Sequence, residues 1–390
     1  MPTTTVLRLP RADRTLVPYV PASTPRWSLA SQPPARTRVA YAAAHVVADP
    51  LADADPASGG AIDWDATLAY RRHLWSLGFA VAEAMDTAQR GMGLGFADAQ
   101  ELIRRSAAEA RAVGGGIGCG ASTDDLAPGV AHDLTAIERA YAAQCAFVEE
   151  QGGTAIVMAS RALTRAARAA DDYLRVYGTV LGGLRRPAIL HWLGPMFDPE
   201  LTGYWGSTDL DRATDTFVAI VTANAAKIDG VKISLLDAQG EIALRRRLPA
   251  GVRVYTGDDF NYPELIAGEG EHHSDALLGI FDAIAPAARA ALAALDAGDL
   301  ERYERILAPT VTLSRELFRA PTSAYKTGIV FLAYLNGWQD HFRMLGGAEG
   351  VRSVVHLARV LELADAAGLI SDQERAASRA ARVFATAGID

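Results

Sequence analysis

Two cysteines in 390 residues, Cys119 and Cys145, leave no material for a disulfide framework or a CxxC redox or metal motif. Each lies in an apolar stretch, so buried free thiols in a reducing cytosol are expected. No apolar run is long enough to cross a membrane, and the opening residues MPTTTVLRLPRADRTLVPY lack the apolar centre of a secretory signal. A basic stripe with interleaved aromatics is also missing. Lys and Arg are scattered among a majority of acids, the net charge is -8, and the RRR run at 245–247 reads as the solvated end of a helix. Neither nucleic acid nor a membrane is therefore an expected partner. No GxGxxG follows a strand and no P-loop spacing occurs, so no cofactor is expected. These absences leave a cytoplasmic protein acting on a small molecule.

What is present is a globular balance, 50% hydrophobic and 22% charged, in a chain long enough for a large core. Residues 1–37 are rich in Pro, Thr and Arg, show no clear period, and read as an extended arm or small cap. Beyond them, short apolar runs alternate with longer amphipathic ones. The short runs fall at 39–47, 79–85, 116–120, 154–159, 187–193, 228–234, 252–257 and, more weakly, 272–280. Segments 64–78, 96–114, 134–152, 169–183 and 211–227 carry helical spacing, the first behind a capping Asp63. Eight such alternations without a nucleotide-binding turn predict an α/β fold, a closed (β/α)8 TIM barrel over residues 38–298. Residues 299–390 read as more helix than the barrel needs, either a C-terminal extension packed on its side or an independent helical domain. Surplus Ala-rich helices suit subunit contacts, so a homo-oligomer, dimer or tetramer, is expected.

Chemistry in such a barrel sits at the carboxyl ends of the strands. That rule selects Glu83, Asp86, Thr87 and Arg90 after the second strand and His191 on the fifth. It adds Lys232 and Ser234 on the sixth, Asp258 and Asp259 after the seventh, and His272 or His273 at the eighth. Lys232 is the sharpest of these, because it stands in IDGVKISLLD with apolar neighbours on both sides. A parallel barrel strand is buried on both faces. An inward lysine there is desolvated, its pKa falls, and the neutral amine is a nucleophile toward carbonyls. The other reading of Lys232 is a structural partner of a buried carboxylate such as Asp258. His191 can shuttle protons, or can be a core histidine bonded to a backbone carbonyl. Glu83 can be a general base or a counter-charge to Lys232. Asp258 and Asp259 can bind substrate hydroxyls or cap a loop. Adjacent histidines on a strand face opposite ways, so at most one of His272 and His273 points inward. The aromatic loop with Tyr204 and Trp205 reads as a lid or as a subunit contact.

The order of these motifs resembles the dihydrodipicolinate synthase / N-acetylneuraminate lyase superfamily over roughly residues 39–345. Gly230, Val231 and Lys232 match its G-[IV]-K pattern on strand six, VYTGDD its strand-seven run ending in GxD, and GEGEHHSDALLGIFDAIAP its eighth unit. The segment EAMDTAQRGMGL is similar to an uncharacterised bacterial subgroup that is dihydrodipicolinate-synthase-like. The resemblance implies class I aldolases with an imine-forming lysine, here Lys232. Two departures stand out. The family's strand-two GTTGE or GSTGE, which holds a keto-acid carboxylate, is replaced by EAMDTAQRG, where only Thr87 offers a hydroxyl and Asp86 opposes an anion. Arg90 can compensate by a bidentate pair, or can be a structural partner of Asp86 or Glu83. The family's proton-carrying Tyr in YN-x-P is replaced by AILHWLGP, which puts His191 at that position.

The expectation is a Schiff-base lyase or aldolase for a small carbonyl compound, a 2-oxo acid or a hydroxylated, sugar-derived ketone. Lys232 and His191 would be catalytic. Glu83, Asp86, Thr87, Arg90, Ser234, Asp258, Asp259 and His272 would bind substrate. One alternative is a metal-dependent sugar isomerase or epimerase, with Glu83, Asp258, His191 and one of His272 and His273 as ligands; a central lysine would repel the cation. The other is a sugar-binding barrel without chemistry.

Overall fold

The computed structural model describes residues 6–21, 24, 26–269 and 272–389. The arm begins with an antiparallel hairpin, β1 (Leu7–Pro10) and β2 (Leu16–Tyr19). The barrel follows as β3 (Ala40–Ala43), β4 (Ala80–Glu83), β5 (Ile117–Ala121), β6 (Thr154–Val157), β7 (Ala188–Leu193), β8 (Ile228–Ser234), β9 (Arg253–Thr256) and β10 (Asp275–Leu278). All eight are parallel, each pairs with the next, and β10 closes on β3. Their positions fall inside the apolar runs read from the sequence, apart from Ala121, one residue past the third run. The (β/α)8 TIM barrel with extra C-terminal helices is therefore the fold. The hairpin was not legible, because its strands are short and interrupted by Pro10 and Pro18.

The connecting helices are α1 (Trp64–Ser76), α2 (Phe96–Val113), α3 (Leu134–Gln151), α4 (Arg161–Ala166), α5 (Ala170–Gly182), α6 (Leu210–Ala223), α7 (Ala238–Arg245), α8 (Tyr262–Ala267) and α9 (Ile280–Asp296). Asp63, Asp133, Asp209 and Asp237 each accept a bond from an N–H in the first turn of the helix they precede. Gly114 and Gly152 end α2 and α3 in the left-handed conformation that a Cβ would strain. The extension comprises α10 (Leu300–Leu317), α11 (Tyr325–Asn336), α12 (Val354–Ala366) and α13 (Gln373–Ala385). It shares one continuous core with α1, α9, Leu7 and Leu9, so hairpin and extension are packed onto the barrel flank. No described helix is long and apolar enough to cross a membrane.

Strand alternation sorts the side chains. Ala43, Ala82, Ile156, Ile189, Tyr255 and Leu277 form the barrel interior. Val157, Leu190, Val231 and Ile233 point the other way, into the core shared with the helices.

Candidate active site

On β8, Val231 and Ile233 occupy the outer core, so Gly230, Lys232 and Ser234 face inward. Lys232 is only 7% exposed. Its amine enters a small chamber at the carboxyl end of the barrel, lined also by Asp86, Thr87, Ser234, Asp259, Gly279 and Tyr325. Among the described residues it makes no hydrogen bond or close ion pair. Burial lowers its pKa, while the charges of Asp86 and Asp259 act in the opposite direction. Gly257 keeps this space open, because a Cβ there would collide with Ser234 Oγ and come within 2.9 Å of Lys232 Cε.

Asp259, buried after β9, accepts a bond from the Ile280 N–H at 2.8 Å, at the start of α9. Burial raises its pKa well above the ordinary carboxylate range, against the opposing effects of that bond and of Lys232. Thr87 Oγ1 lies 2.7 Å from Tyr325 Oη. Tyr325 begins α11, stacks on Phe318 with ring centroids 4.2 Å apart, and is pushed well above pKa 10 by burial, so it keeps its proton. Its neighbour Lys326 is a second buried amine. It donates to the Ser323 carbonyl at 2.9 Å, and burial draws its pKa down to about 8 against the charge of Asp86. The Asp86 carboxylate has no hydrogen-bond partner among the described residues.

His191 is level with Lys232 in the β7–β8 register. Its Nε2 sits 3.2 Å from Ser234 Oγ, and its buried Nδ1 has no partner among the described residues. Burial, then the Lys232 charge, hold its pKa well below 6.5, so the ring is neutral near pH 7. His191 faces a second cavity, of about 370 Å³, which adjoins the lysine chamber by sharing Asp86, Leu193 and Phe197 with it.

A family model described as a protein of unknown function (DUF993) matches residues 7–389. The chain belongs to the DUF993 family. No curated protein sequence matches it. Solved structures with the same fold include dihydrodipicolinate synthases. The Aquifex aeolicus enzyme superposes with TM-score 0.64 at 15% identity, covering 85% of this chain and 99% of that one. A prophage protein of the dihydrodipicolinic acid synthase family from E. coli K12, solved with pyruvate, gives 0.65 at 12% identity, covering 85% and 99%. The Acinetobacter baumannii synthase, also solved with pyruvate, gives 0.62 at 16% identity, covering 86% and 100%.

In this DUF993 chain the structure gathers Lys232, Asp86, Thr87, Ser234 and Asp259 around one chamber, with His191 beside it. Four other expected site residues lie elsewhere or are already committed. Glu83 follows the inward Ala82 and so points outward, where it forms a fully buried bidentate pair with Arg71 of α1 at 2.8 and 2.9 Å. Arg90 lines the larger cavity, but all five of its N–H groups go to Asp124, Gln144 and the Ala84 and Gly120 carbonyls. Asp258 accepts from the Phe260 and Asn261 N–H groups and from the Asn261 side chain, capping the turn into α8. It is not the partner of Lys232.

His272 is exposed and precedes β10, which places it at the opposite mouth of the barrel. Residues 270 and 271 of the same Gly-rich stretch lie outside the described residues. The proposed metal ligands accordingly do not converge, and no described group of three or more His, Cys, Asp or Glu is arranged to hold a metal ion. Tyr204 and Trp205 are buried against Tyr173 and Tyr177 and form part of the barrel flank, not a lid.

Sequence reasoning missed Tyr325 and Lys326. Their segment, AYKTGIVFLAYLNG, reads as one more apolar helix, and the only signal was a lysine inside an otherwise apolar run. Two non-glycine residues of the β4–α2 loop, Ala84 (φ 52) and Gln89 (φ 62), hold left-handed backbone conformations. Strain of this kind concentrates at functional sites, and here it brackets Asp86 and Thr87.

Proposed function

We propose that this protein is a class I, Schiff-base-forming lyase or aldolase acting on a small carbonyl compound, with Lys232 as the nucleophile. One observation carries the reading: a buried amine that lines a chamber and makes no close ion pair among the described residues. Such an amine is uncharged far more of the time than a lysine in water.

The neutral nitrogen attacks the carbonyl carbon, and one N–H proton passes to the oxygen, giving a carbinolamine. The hydroxyl then leaves as water. Asp259 supplies its proton, since a carboxyl raised toward neutrality is a competent general acid. The products are a protonated imine on Lys232 and an ionised Asp259, whose charges offset each other. The hydroxyl pair of Thr87 and Tyr325 orients the departing oxygen. The imine draws electrons from the adjacent carbon–carbon or carbon–oxygen bond, and hydrolysis reverses the first steps and restores both groups. His191, neutral and bonded to Ser234, holds substrate by hydrogen bonds and does not act as a charged acid.

The fold likeness to dihydrodipicolinate synthases supports the reading at the level of the barrel. The Asp86 carboxylate beside Lys232 favours a hydroxylated carbonyl compound over a 2-oxo acid. Incubation with short aldehydes and ketones in the presence of borohydride, followed by intact-mass measurement, tests it. One irreversible adduct per chain is expected, and its absence across hydroxylated and 2-oxo-acid probes alike counts against it.

A further inference from the structure

We propose that the cavity beside the lysine chamber receives the far end of the substrate, and that this end is an anion, a carboxylate or a phosphate, held by Arg161 and Arg165. The inference rests on the Schiff-base reading of Lys232 for the orientation of the substrate.

Size is the first argument. The cavity of about 370 Å³ exceeds what a three-carbon carbonyl compound fills, and it adjoins the chamber, sharing Asp86, Leu193 and Phe197 with it. A buried, unpartnered polar atom is the second. His191 is 1% exposed, lines this cavity, and leaves Nδ1 without a hydrogen bond. An unsatisfied buried nitrogen is costly unless a ligand or water meets it, and a hydroxyl along the substrate chain would do so.

Charge is the third. Arg161 and Arg165 stand four residues apart on α4, hence on one helix face, and both line the cavity. Arg161 uses Nε on Asp198 and Nη1 on Glu200, and Arg165 uses Nη1 on Glu200. Among the described residues Arg161 Nη2 and Arg165 Nε and Nη2 have no partner. Glu200 is half exposed, so a substrate anion can displace it at little cost. Arg90, the other guanidinium on this wall, has no free donor. At the reacting end Asp86 would repel an anion next to the carbonyl. The two ends therefore orient one class of compound: a hydroxylated aldehyde or ketone with its carbonyl at Lys232 and a carboxylate or phosphate at the outer end.

The test separates this subsite from the imine chemistry. Glycerol 3-phosphate, 4-hydroxybutanoate and glycerol, none of which can form an imine, are titrated calorimetrically into the full chain, Arg161→Gln and Arg165→Gln. One of the anions should bind at least tenfold more tightly than glycerol, and either substitution should remove most of that preference. Whichever anion binds tells phosphate from carboxylate. Both arginines are near half exposed, and melting curves check that the variants fold. Binding of neither anion, or equal binding by wild type and variants, overturns the proposal even if borohydride traps a carbonyl on Lys232. Arginine-dependent anion binding without any adduct upholds the subsite and removes the Schiff-base reading.

Discussion

Tyr325 Oη lies 2.7 Å from Thr87 Oγ1, which ties the first helix turn after the cis Ala320–Pro321 bond to the loop that follows β4. The C-terminal extension thus forms one wall of the lysine chamber as well as part of the flank. Tyr325→Phe keeps the stack on Phe318 and removes one hydroxyl. Imine formation should slow by roughly tenfold, and stability should fall by about 1 kcal/mol, as for loss of one hydrogen bond. Stopped-flow trapping and urea unfolding check the two effects.

Adduct formation should rise with pH, because only the neutral amine attacks. The rise should level off below the ordinary lysine value of 10.5, since burial lowers the Lys232 pKa. Asp259 opposes that lowering, so Asp259→Asn should move the rising limb to lower pH. The same change removes the proton donor and should reduce the plateau by about 10²-fold or more. A pH profile of trapping rates for both proteins shows the shift and the loss separately. A limb still climbing above pH 10.5 in the wild type means a solvated amine.

Glu83 is expected to matter for stability and not for binding. Removing one partner from a fully buried pair leaves the other charged and unmatched, so Glu83→Ala should cost roughly 3–5 kcal/mol. The double change Glu83→Leu with Arg71→Met should recover much of that. Chemical denaturation of the three proteins checks it.

Gly257→Ala places a methyl group against Ser234 Oγ and Lys232 Cε. Overpacking of this kind typically costs about 1–3 kcal/mol. The larger effect should be on chemistry, with the amine displaced and trapping reduced far more than the melting temperature. Equal trapping by Gly257→Ala and wild type would mean that the lysine does not need this space.

The barrel was legible because alternation of apolar runs with amphipathic helices is a local pattern, and the eight strands lie within the runs it marks except for Ala121 at the end of β5. Lys232 was legible for the same reason, as a charge where both strand faces are buried. The errors have geometric causes. Glu83 was read as inward, but inward and outward exchange every residue, and Ala82 holds the inward place. His272 was assigned to the active end of a strand that begins only at Asp275, so it falls at the wrong mouth. Asp258 and Asp259 look equivalent in sequence, and only the turn decides that the first closes the turn ahead of α8 while the second lines the lysine chamber. Tyr325 reaches Thr87 across more than two hundred residues, a contact that periodicity cannot reveal.

The most direct measurement is peptide mapping after borohydride reduction in the presence of dihydroxyacetone and, separately, dihydroxyacetone phosphate. Two buried amines stand near Asp86, and only Lys232 lines the chamber, whereas Lys326 is turned to the Ser323 carbonyl. The account predicts a single reduced adduct, on the peptide containing Lys232, and none in Lys232→Met. An adduct confined to Lys326 or to surface lysines, or one that survives in Lys232→Met, contradicts it.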